Sequence, residues 1–270
     1  MQAFTAAGHA ASLPVTQKMT DSYIASLPLV NDPGTVQNYS NCGYYLLGRV
    51  VAHLRKTKAP VEAYQKHLFD PLAITRIRSA VDLVSSQPAE EARYQAANIN
   101  DASLPDLQVG HSLQSPEQPL VASGYGDYEL AISQGGGGIS AATTDVARLI
   151  AILIDQNDNP ALKRATLTSM LSSAAAMSAA GNSRAGYGLD SAADQGGGSF
   201  YGQKGGLIVD AASVLQFNGD WGFTLCFGSP AQVPGVTPVW YPDFNPMMNI
   251  AKGTNWGTSD LFPHFGMPPL

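Results

Sequence analysis

The sequence predicts an α+β protein, in which helices dominate the middle of the chain and an antiparallel sheet the later part. Segments with helical spacing of apolar residues occur up to about residue 175. From about residue 185 the pattern changes to short β-branched or aromatic runs that are separated by turn residues. Successive strands joined by short turns pair with their neighbours, which indicates an antiparallel sheet.

The helices are predicted in chain order from apolar spacing and from capping residues. The clearest is an amphipathic helix over Tyr44–Thr57, because its leucines and valines recur at helical spacing. Thr143 or Thr144, with Asp145 behind it, is typical of a helix cap, and that helix should run to about residue 155. Further helices are expected at about Val15–Leu27, Pro60–Leu68, Pro160–Ala175 and Asp243–Ala251.

The loops and strands between and after the helices are predicted from glycine and proline positions and from the alternation of apolar and polar residues. Residues 80–134 are polar and lack a sustained period, so we expect a loop-rich excursion with short elements. Gly135 to Gly138 follow, but no Gly-Lys-Ser/Thr comes after them, so the run is not a phosphate-binding loop. Strands are expected at Tyr187–Leu189, Ser199–Gln203, Ala212–Phe217 and Trp221–Phe227, with a turn at Asn218-Gly219-Asp220.

Composition limits the class of partner. The chain has 270 residues, of which 44% are hydrophobic and 13% charged, enough for a sizeable core. Its net charge of −6 argues against a nucleic-acid partner, because phosphate binding needs a basic surface. Cys42 and Cys226 lie far apart in sequence, and we expect them to be small buried residues rather than a disulfide or a zinc site.

The sequence gives little indication of compartment. No apolar stretch is long enough to cross a bilayer, so no membrane partner is expected. The first residues, Met1–Ala11, lack the basic and apolar regions of a signal peptide. The localisation stays open between a cytoplasmic protein, if Met1 is the true start, and a protein whose leader has been removed.

Tyr39 and Asn41 are the first candidate functional residues. They lie two residues apart, just before a helix, and can point the same way into a cleft. A phenol has a reference pKa of about 10 and serves as a base only where nearby cations depress that value. The amide of Asn41 offers a donor and an acceptor, so it can orient a carbonyl substrate or a lysine.

A set of ordered segments surrounds this pair. Tyr39-Ser40-Asn41-Cys42-Gly43-Tyr44 opens a helix that contains Leu46-Leu47-Gly48. The segments that follow are Phe69-Asp70-Pro71-Leu72, Gly136–Ser140 with Thr144–Arg148, Tyr187-Gly188-Leu189, Tyr201–Gly206 and Asn218–Gly222. In this order, over about 33–227, they resemble motifs of the penicillin-binding-protein/serine β-lactamase superfamily, in particular class C β-lactamases, family VIII carboxylesterases and D-aminopeptidases.

The resemblance implies a β-lactamase/transpeptidase-like fold, an antiparallel sheet flanked by helices with an inserted helical or loop-rich lobe. It implies one domain over 1–270, with the lobe at about 44–180 and the strands at about 185–230. The implied activity is hydrolysis of an ester or amide through an acyl-serine, which divides one difficult step into two. The implied ligand is a small ester, amide or β-lactam, and no metal or organic cofactor is implied.

The resemblance also implies which residues line the cleft. Tyr39, Asn41 and Lys204 are the expected catalytic residues. Tyr125 belongs to a segment that would border the cleft. The other expected substrate-binding residues are Gln203, Gly205 and Gly206, in the third motif.

Two departures from the family pattern argue against ordinary serine catalysis. Members attack their substrate with the serine of a Ser-x-x-Lys motif, but no lysine of this sequence has a serine three residues before it. The third motif carries a cation where this sequence has Gln203, and Lys204 follows one residue later. A shift of one residue along a strand would turn Lys204 to the opposite face, where it could not assist Tyr39.

Other groups offer weaker alternatives. Cys42 could be an activated nucleophile, because it lies near a helix N-terminus, and Ser40 is a further candidate. The five histidines have no metal-ligand spacing, so no metal site is expected. Asp127 and Glu129 are scattered acids without an indicated partner, and Asp145 is expected to cap its helix.

Three interpretations of function stay open. The chain is a hydrolase of esterase or β-lactamase type, with an unrecognised nucleophile or an N-terminal segment supplied in trans. Alternatively, it is a catalytically inactive relative that keeps the cleft for binding, or a truncated remnant that has lost its N-terminal part. The missing motif favours an inactive relative. Loss of N-terminal strands would expose a sheet edge, so we expect a homo-oligomer formed through that edge.

Overall fold

The structure is a computed structural model that describes residues 13–36, 38–93, 109–114, 120–122, 125–155, 157–179, 187–193, 199–207, 211–227 and 253–270. It divides into two compact units. The first comprises Met1–Asp70 and Arg76–Ala141, and the second Pro71–Thr75 and Ala142–Leu270. The expectation of one domain stays a prediction, and the helix expected at 243–251 lies outside the described residues.

The described part of the first unit combines helices with two short antiparallel strand pairs. β1 (Ile77–Ser79) pairs with β4 (Ile139–Ala141), and β2 (Val109–His111) pairs with β3 (Leu120–Ala122). β2 and β3 agree with the short elements expected between residues 80 and 134, whereas β1 and β4 lie just outside that range. The helices are α1 (Gln17–Ser26), α2 (Asn41–Arg55) and α3 (Pro60–Tyr64), and a π-helix, Gln65–Phe69, follows α3.

The central helix of this unit, α2, begins three residues before the predicted start at Tyr44. Ser40 has an extended backbone and its side chain accepts the N–H of Gly43 at 2.9 Å, so it is the N-cap. The helix ends where Lys56 adopts a left-handed conformation, with φ of 56°. The predicted helix at Pro60–Leu68 is an α-helix only as far as Tyr64, because the π-helix replaces its second half.

The second unit packs two helices on a four-stranded antiparallel sheet. The helices are α4 (Thr143–Asp155) and α5 (Arg164–Ala179). The strands are β5 (Asp190–Ala193), β6 (Ser199–Leu207), β7 (Ala211–Phe217) and β8 (Gly222–Phe227), in that spatial order. The core between helices and sheet contains Ile150 and Leu153 of α4, Leu167 and Ala174 of α5, and Leu189 and Phe217. The α+β arrangement with an antiparallel sheet is confirmed.

Local hydrogen bonds explain where these elements differ from the prediction. α5 begins at Arg164 rather than Pro160, because Asn159 accepts the N–H groups of Ala161 and Leu162 in a turn and Asp158 accepts that of Arg164. β5 begins at Asp190, just after Gly188, whose φ of 87° interrupts the extended chain.

A five-residue segment, Pro71–Thr75, completes the second unit from far upstream. Ile74 is fully buried, and the N–H of Thr75 donates to Asp145 Oδ2 at 3.1 Å. Asp145 itself is fully buried, and its bond to this upstream segment is a contact that the expectation of helix capping did not include. The next turn of α4 carries Arg148, which donates to the carbonyl oxygen of Leu72 at 2.8 Å.

Arg148 also holds the C-terminal segment. Its guanidinium donates to the carbonyl oxygens of Pro268 and Pro269 at 2.7 and 3.1 Å and lies 5.3 Å from the ring centroid of Phe262. Phe262 begins the 3-10 helix Phe262–Phe265. None of the helices within the described ranges is long and apolar enough to span a membrane.

Candidate functional site

Tyr39 and Asn41 are brought together at the start of α2. The Tyr39 hydroxyl donates to Asn41 Oδ1 at 2.8 Å, and 70% of the Tyr39 side chain is exposed. The extended backbone of Ser40 between them turns both side chains to the same side. The pair expected from the sequence is therefore a directly hydrogen-bonded phenol and amide on an accessible helix start.

The glycine run lies against this helix start because its members have no side chain. A Cβ atom at Gly135 would overlap the carbonyl oxygen of Tyr44, and one at Gly136 would lie 3.0 Å from that of Asn41. Gly48 faces Gly135 one turn further along α2, where an added Cβ would lie 2.7 Å from Gly135 Cα. The run therefore acts as a close backbone contact that positions the helix carrying Tyr39 and Asn41.

Gln134 anchors the glycine run, and sequence analysis missed it. Its side chain is buried, donates to Ser79 Oγ and the carbonyl oxygen of Ala131 at 2.8 Å each, and accepts the N–H of Val61 at 3.0 Å. The amide thus connects β1, α3 and the loop before the glycines. A lone glutamine before a glycine run carries no distinctive signal, because its three partners are scattered in sequence.

Two carboxylates near this loop were also missed as a pair. Asp82 Oδ1 accepts the N–H groups of Leu130 and Ala131, at 2.5 and 3.2 Å, and Glu129 Oε1 accepts Gln114 Nε2 at 3.0 Å. Burial raises the pKa of Glu129 to about 7, and the charge of Asp82 adds to the rise, while the hydrogen bond from Gln114 opposes it. The sequence showed Glu129 only as a scattered acid, because Asp82 is far away along the chain.

The third-motif residues lie on β6, in the second unit. Gln203 pairs with Leu215, which packs against the core, and Lys204 pairs with the buried Val214. Since successive side chains of a strand leave opposite faces, Gln203 and Lys204 are directed to different faces of the sheet. Gln203 Nε2 donates to Asp190 Oδ1 at 3.4 Å, and both Gln203 and Lys204 are exposed.

Gly205 and Gly206 extend β6 beyond its predicted end. They pair with Ser213 and Ala212 of β7, so the strand continues to Leu207. Both glycines are exposed. The structure thus keeps 203–206 together on one strand of the second unit, while Tyr39, Asn41 and the half-buried Tyr125 belong to the first.

The alternative nucleophiles have distinct surroundings. Cys42 is exposed in the first turn of α2, and Cys226 is exposed on β8, so the expectation that both are buried was wrong. Each lies on an element with one face open to solvent, which the sequence pattern did not show. The hydroxyl of Ser40 accepts the N–H of Gly43 as the helix cap. Among the residues that the structure describes, no group of three or more His, Cys, Asp or Glu is arranged to hold a metal ion.

Comparisons with known proteins identify the fold. The chain is similar to the octameric penicillin-binding protein homologue from Pyrococcus abyssi, with a TM-score of 0.60 and 19% identity over 90% of this chain and 49% of that one. It is also similar to a D-stereospecific amidohydrolase from Streptomyces sp., with a TM-score of 0.59 and 17% identity over 92% and 63% of the two chains. A D-amino acid amidase from Ochrobactrum anthropi SV3, complexed with L-phenylalanine amide, gives a TM-score of 0.53 and 17% identity over 82% and 58%.

These solved proteins are longer than this chain, which spans 49 to 63% of their length. A search among curated proteins gave no match. The structural similarity confirms the β-lactamase/transpeptidase-like fold expected from the ordered motifs. The Beta-lactamase family model matches residues 3–226, well over half of the sequence, and the chain therefore belongs to the Beta-lactamase family.

Proposed function

We propose that this chain is a hydrolase-type member of its family, in which Tyr39 and Asn41 bind the carbonyl or amide group of a small ester, amide or β-lactam. The observation that carries the proposal is the 2.8 Å hydrogen bond between Tyr39 Oη and Asn41 Oδ1 at an exposed helix start. Because this bond occupies the amide oxygen, the side-chain N–H groups of Asn41 are the donors that a carbonyl oxygen requires.

The surroundings support a preorganised binding site. Tyr39 and Asn41 flank the helix cap, and the backbone contact between Gly136 and Asn41 fixes the first turn of α2. A donor that is held in place before the ligand arrives loses less conformational entropy on binding. The pair is thus suited to orient a polar ligand, whatever group then attacks it.

Binding without turnover is the second candidate function, and the residues missing from the family's motifs favour it. No lysine is preceded by a serine three residues earlier, so this chain does not supply the nucleophile motif of the family. Gln203, a neutral side chain, occupies the expected position of the cation, and Lys204 is directed to the other face of β6. Turnover requires a different nucleophile, for which Cys42 and Ser40 are the first candidates, or an N-terminal segment supplied in trans.

The two functions are separated by turnover and covalent labelling. The folded protein is incubated with p-nitrophenyl butyrate, a chromogenic cephalosporin and both enantiomers of phenylalanine amide, and its intact mass is measured after a fluorophosphonate probe. The amides are chosen because the amidase from Ochrobactrum anthropi SV3 was solved with one of them. Turnover with a single adduct supports a hydrolase, and peptide mapping names its nucleophile. Binding with neither turnover nor adduct supports the second function.

The role of Tyr39 is tested with a matched variant on the same helix. Tyr39→Phe removes only the hydroxyl, and we expect the dissociation constant of the bound amide or ester to rise about fivefold, the value of one hydrogen bond of about 1 kcal/mol. Tyr44→Phe, at a residue 43% exposed on α2, should leave the constant unchanged. Equal effects of the two substitutions, or no binding of any of the four compounds, would refute the proposed site.

We further propose that the chain self-associates through β8. In the described sheet β8 pairs with β7 alone and therefore lies at an edge, where a strand from a second copy can add. The octameric state belongs to the relative from Pyrococcus abyssi. For this chain the support is the edge strand itself.

A further inference from the structure

A chain of hydrogen bonds leads to the glycine run from the loop that contains Glu129 and binds Asp82, and the glycine run packs closely on the helix start that carries Tyr39 and Asn41. Asp82 accepts the N–H groups of Leu130 and Ala131, and Glu129 is tied to Gln114 through its carboxylate. The carbonyl oxygen of Glu129 accepts the hydroxyl of Ser133 at 2.6 Å. The Asp82 carboxylate therefore holds the start of a short loop, 129–136, and the Glu129 carboxylate ties the same loop to Gln114.

The loop transmits its position to the glycine run. The N–H of Ser133 donates to the carbonyl oxygen of Leu130 at 3.1 Å, and the N–H of Gly136 donates to that of Ser133 at 2.9 Å. Gly136 in turn lies so close to Asn41 that an added Cβ would be 3.0 Å from the Asn41 carbonyl oxygen. A displacement of the loop at Leu130 would therefore reach the first turn of α2.

Glu129 on this loop and Asp82 beside it both have raised pKa values. Burial and the negative charge of Asp82 raise the pKa of Glu129 to about 7. Burial also raises the pKa of Asp82, although the two N–H groups that donate to its carboxylate lower it in part. Asp82, which follows β1, is the charged group that raises the pKa of Glu129. The neutral side chain of Gln114, in the segment after β2, donates a hydrogen bond to the Glu129 carboxylate. Asp127 and Tyr128 precede Glu129 on its own loop.

We propose that Asp82 and Glu129 form a pH-sensitive positioning device for the Tyr39–Asn41 pair. With Glu129 protonated, the loop holds the glycine run against Asn41. With both groups ionised, two like charges share a partly buried location, and their repulsion loosens the loop. Asp82 and Glu129 are positioning residues, because they act on the pair through the loop. The inference rests on the proposed function only in treating Tyr39 and Asn41 as the ligand site.

The device is tested by hydrogen exchange followed by mass spectrometry, at matched chemical exchange between pH 5.5 and 8.5. In the unaltered protein, protection of peptides covering 125–136 and 41–48 should fall by about threefold or more as the pH rises through neutrality. Glu129→Gln keeps a neutral side chain of the same shape and should abolish the change. Glu62→Gln, at an exposed glutamate of the same unit, is the matched control and should behave as the unaltered protein.

Each outcome decides the proposal. Constant protection in the unaltered protein, or the same pH dependence in Glu129→Gln, would overturn it. Circular dichroism would reveal whether Glu129→Gln folds, and a second variant tests the proposal if it does not. Asp82→Asn keeps an oxygen that can accept the two N–H groups but removes the repelling charge, so the transition should move to lower pH. An unmoved midpoint would contradict the pairing.

The exchange readout is independent of ligand binding. If the protection changes as expected but the unaltered protein binds none of the amides or esters, the proposed function fails and the device stands. If binding occurs and its pH dependence persists in Glu129→Gln, the device fails and the binding function stands. Affinity that weakens above neutral pH only in proteins carrying Glu129 supports both.

Discussion

The close contact between Gly48 of α2 and Gly135 makes a quantitative prediction for two alanine substitutions on one helix. An added Cβ at Gly48 would lie 2.7 Å from Gly135 Cα and 3.1 Å from both Gly135 N and Tyr64 Oη. Alanine gains about 1 kcal/mol over glycine in a helix interior, but overpacking a buried position costs about 1–3 kcal/mol. Since the nearest obstacle is backbone, we expect Gly48→Ala to lower the free energy of unfolding by about 1–2 kcal/mol.

Gly43→Ala is the control for helix propensity. Its Cβ would lie 3.5 Å from Cβ and Oγ of Ser40, an ordinary van der Waals distance, so the substitution should be neutral or stabilising by about 0.5 kcal/mol. Urea unfolding followed by circular dichroism measures both proteins, and unchanged m-values would show that stability alone differs. If Gly48→Ala were as stable as Gly43→Ala, the packing of the glycine run on α2 would be refuted.

Three further predictions concern the tail, the pH dependence and assembly. Arg148→Met should destabilise the second unit by about 3 kcal/mol, since it leaves carbonyl oxygens of Leu72, Pro268 and Pro269 unpaired, and limited proteolysis should then release the segment after residue 252. Because the pKa of Glu129 is higher in the folded protein than its ordinary value of 4.5, the protonated carboxyl favours folding. This contribution to stability is complete below pH 4.5 and is lost as the pH rises to about 7. After solvent screening this loss is about 1–2 kcal/mol, and Glu129→Gln should remove it from the unfolding curves. Light scattering across a wide concentration range should show oligomers if β8 pairs between copies.

These three predictions have clear contrary results. An unchanged digestion pattern in Arg148→Met, compared with a variant at the exposed Arg164, would show that other contacts hold the tail. A stability that is flat between pH 4.5 and 7 would contradict the burial of Glu129. A monomer at every concentration would count against assembly through the sheet edge.

The sequence predicts most elements of the fold because their signals are local. The apolar period of α2, the turn at 218–220 and the order of the motifs all depend on neighbouring residues. Asn218 illustrates this, since its side chain accepts the N–H groups of Asp220 and Trp221 within one turn. Boundaries were missed where a side chain that binds the backbone decides them, as with Ser40, the cap of α2, and Asn159, whose turn precedes α5.

The candidate site was only partly accessible to sequence reasoning. Tyr39 and Asn41 were predicted as a pair because they lie in one short motif, and the structure joins them by a hydrogen bond. Gln134 and Asp82 were not found, because their importance comes from tertiary contacts with distant segments. The exposure of Cys42 likewise depends on which face of α2 is covered. Residue type and spacing do not encode these relationships.

The short segment Pro71–Thr75 has a consequence for how the molecule can be divided. It belongs to the second unit, although the chain on both sides of it belongs to the first, so the backbone passes between the units at three places. No single cut can therefore separate them. Cleavage between residues 141 and 142 would leave Leu72, Ile74 and Thr75 on the wrong fragment, and with them the partners of Arg148 and Asp145. The two units are thus interlaced in sequence, and we expect that a fragment beginning at residue 142 could not complete the second unit, because it would lack the buried Ile74 and its neighbours.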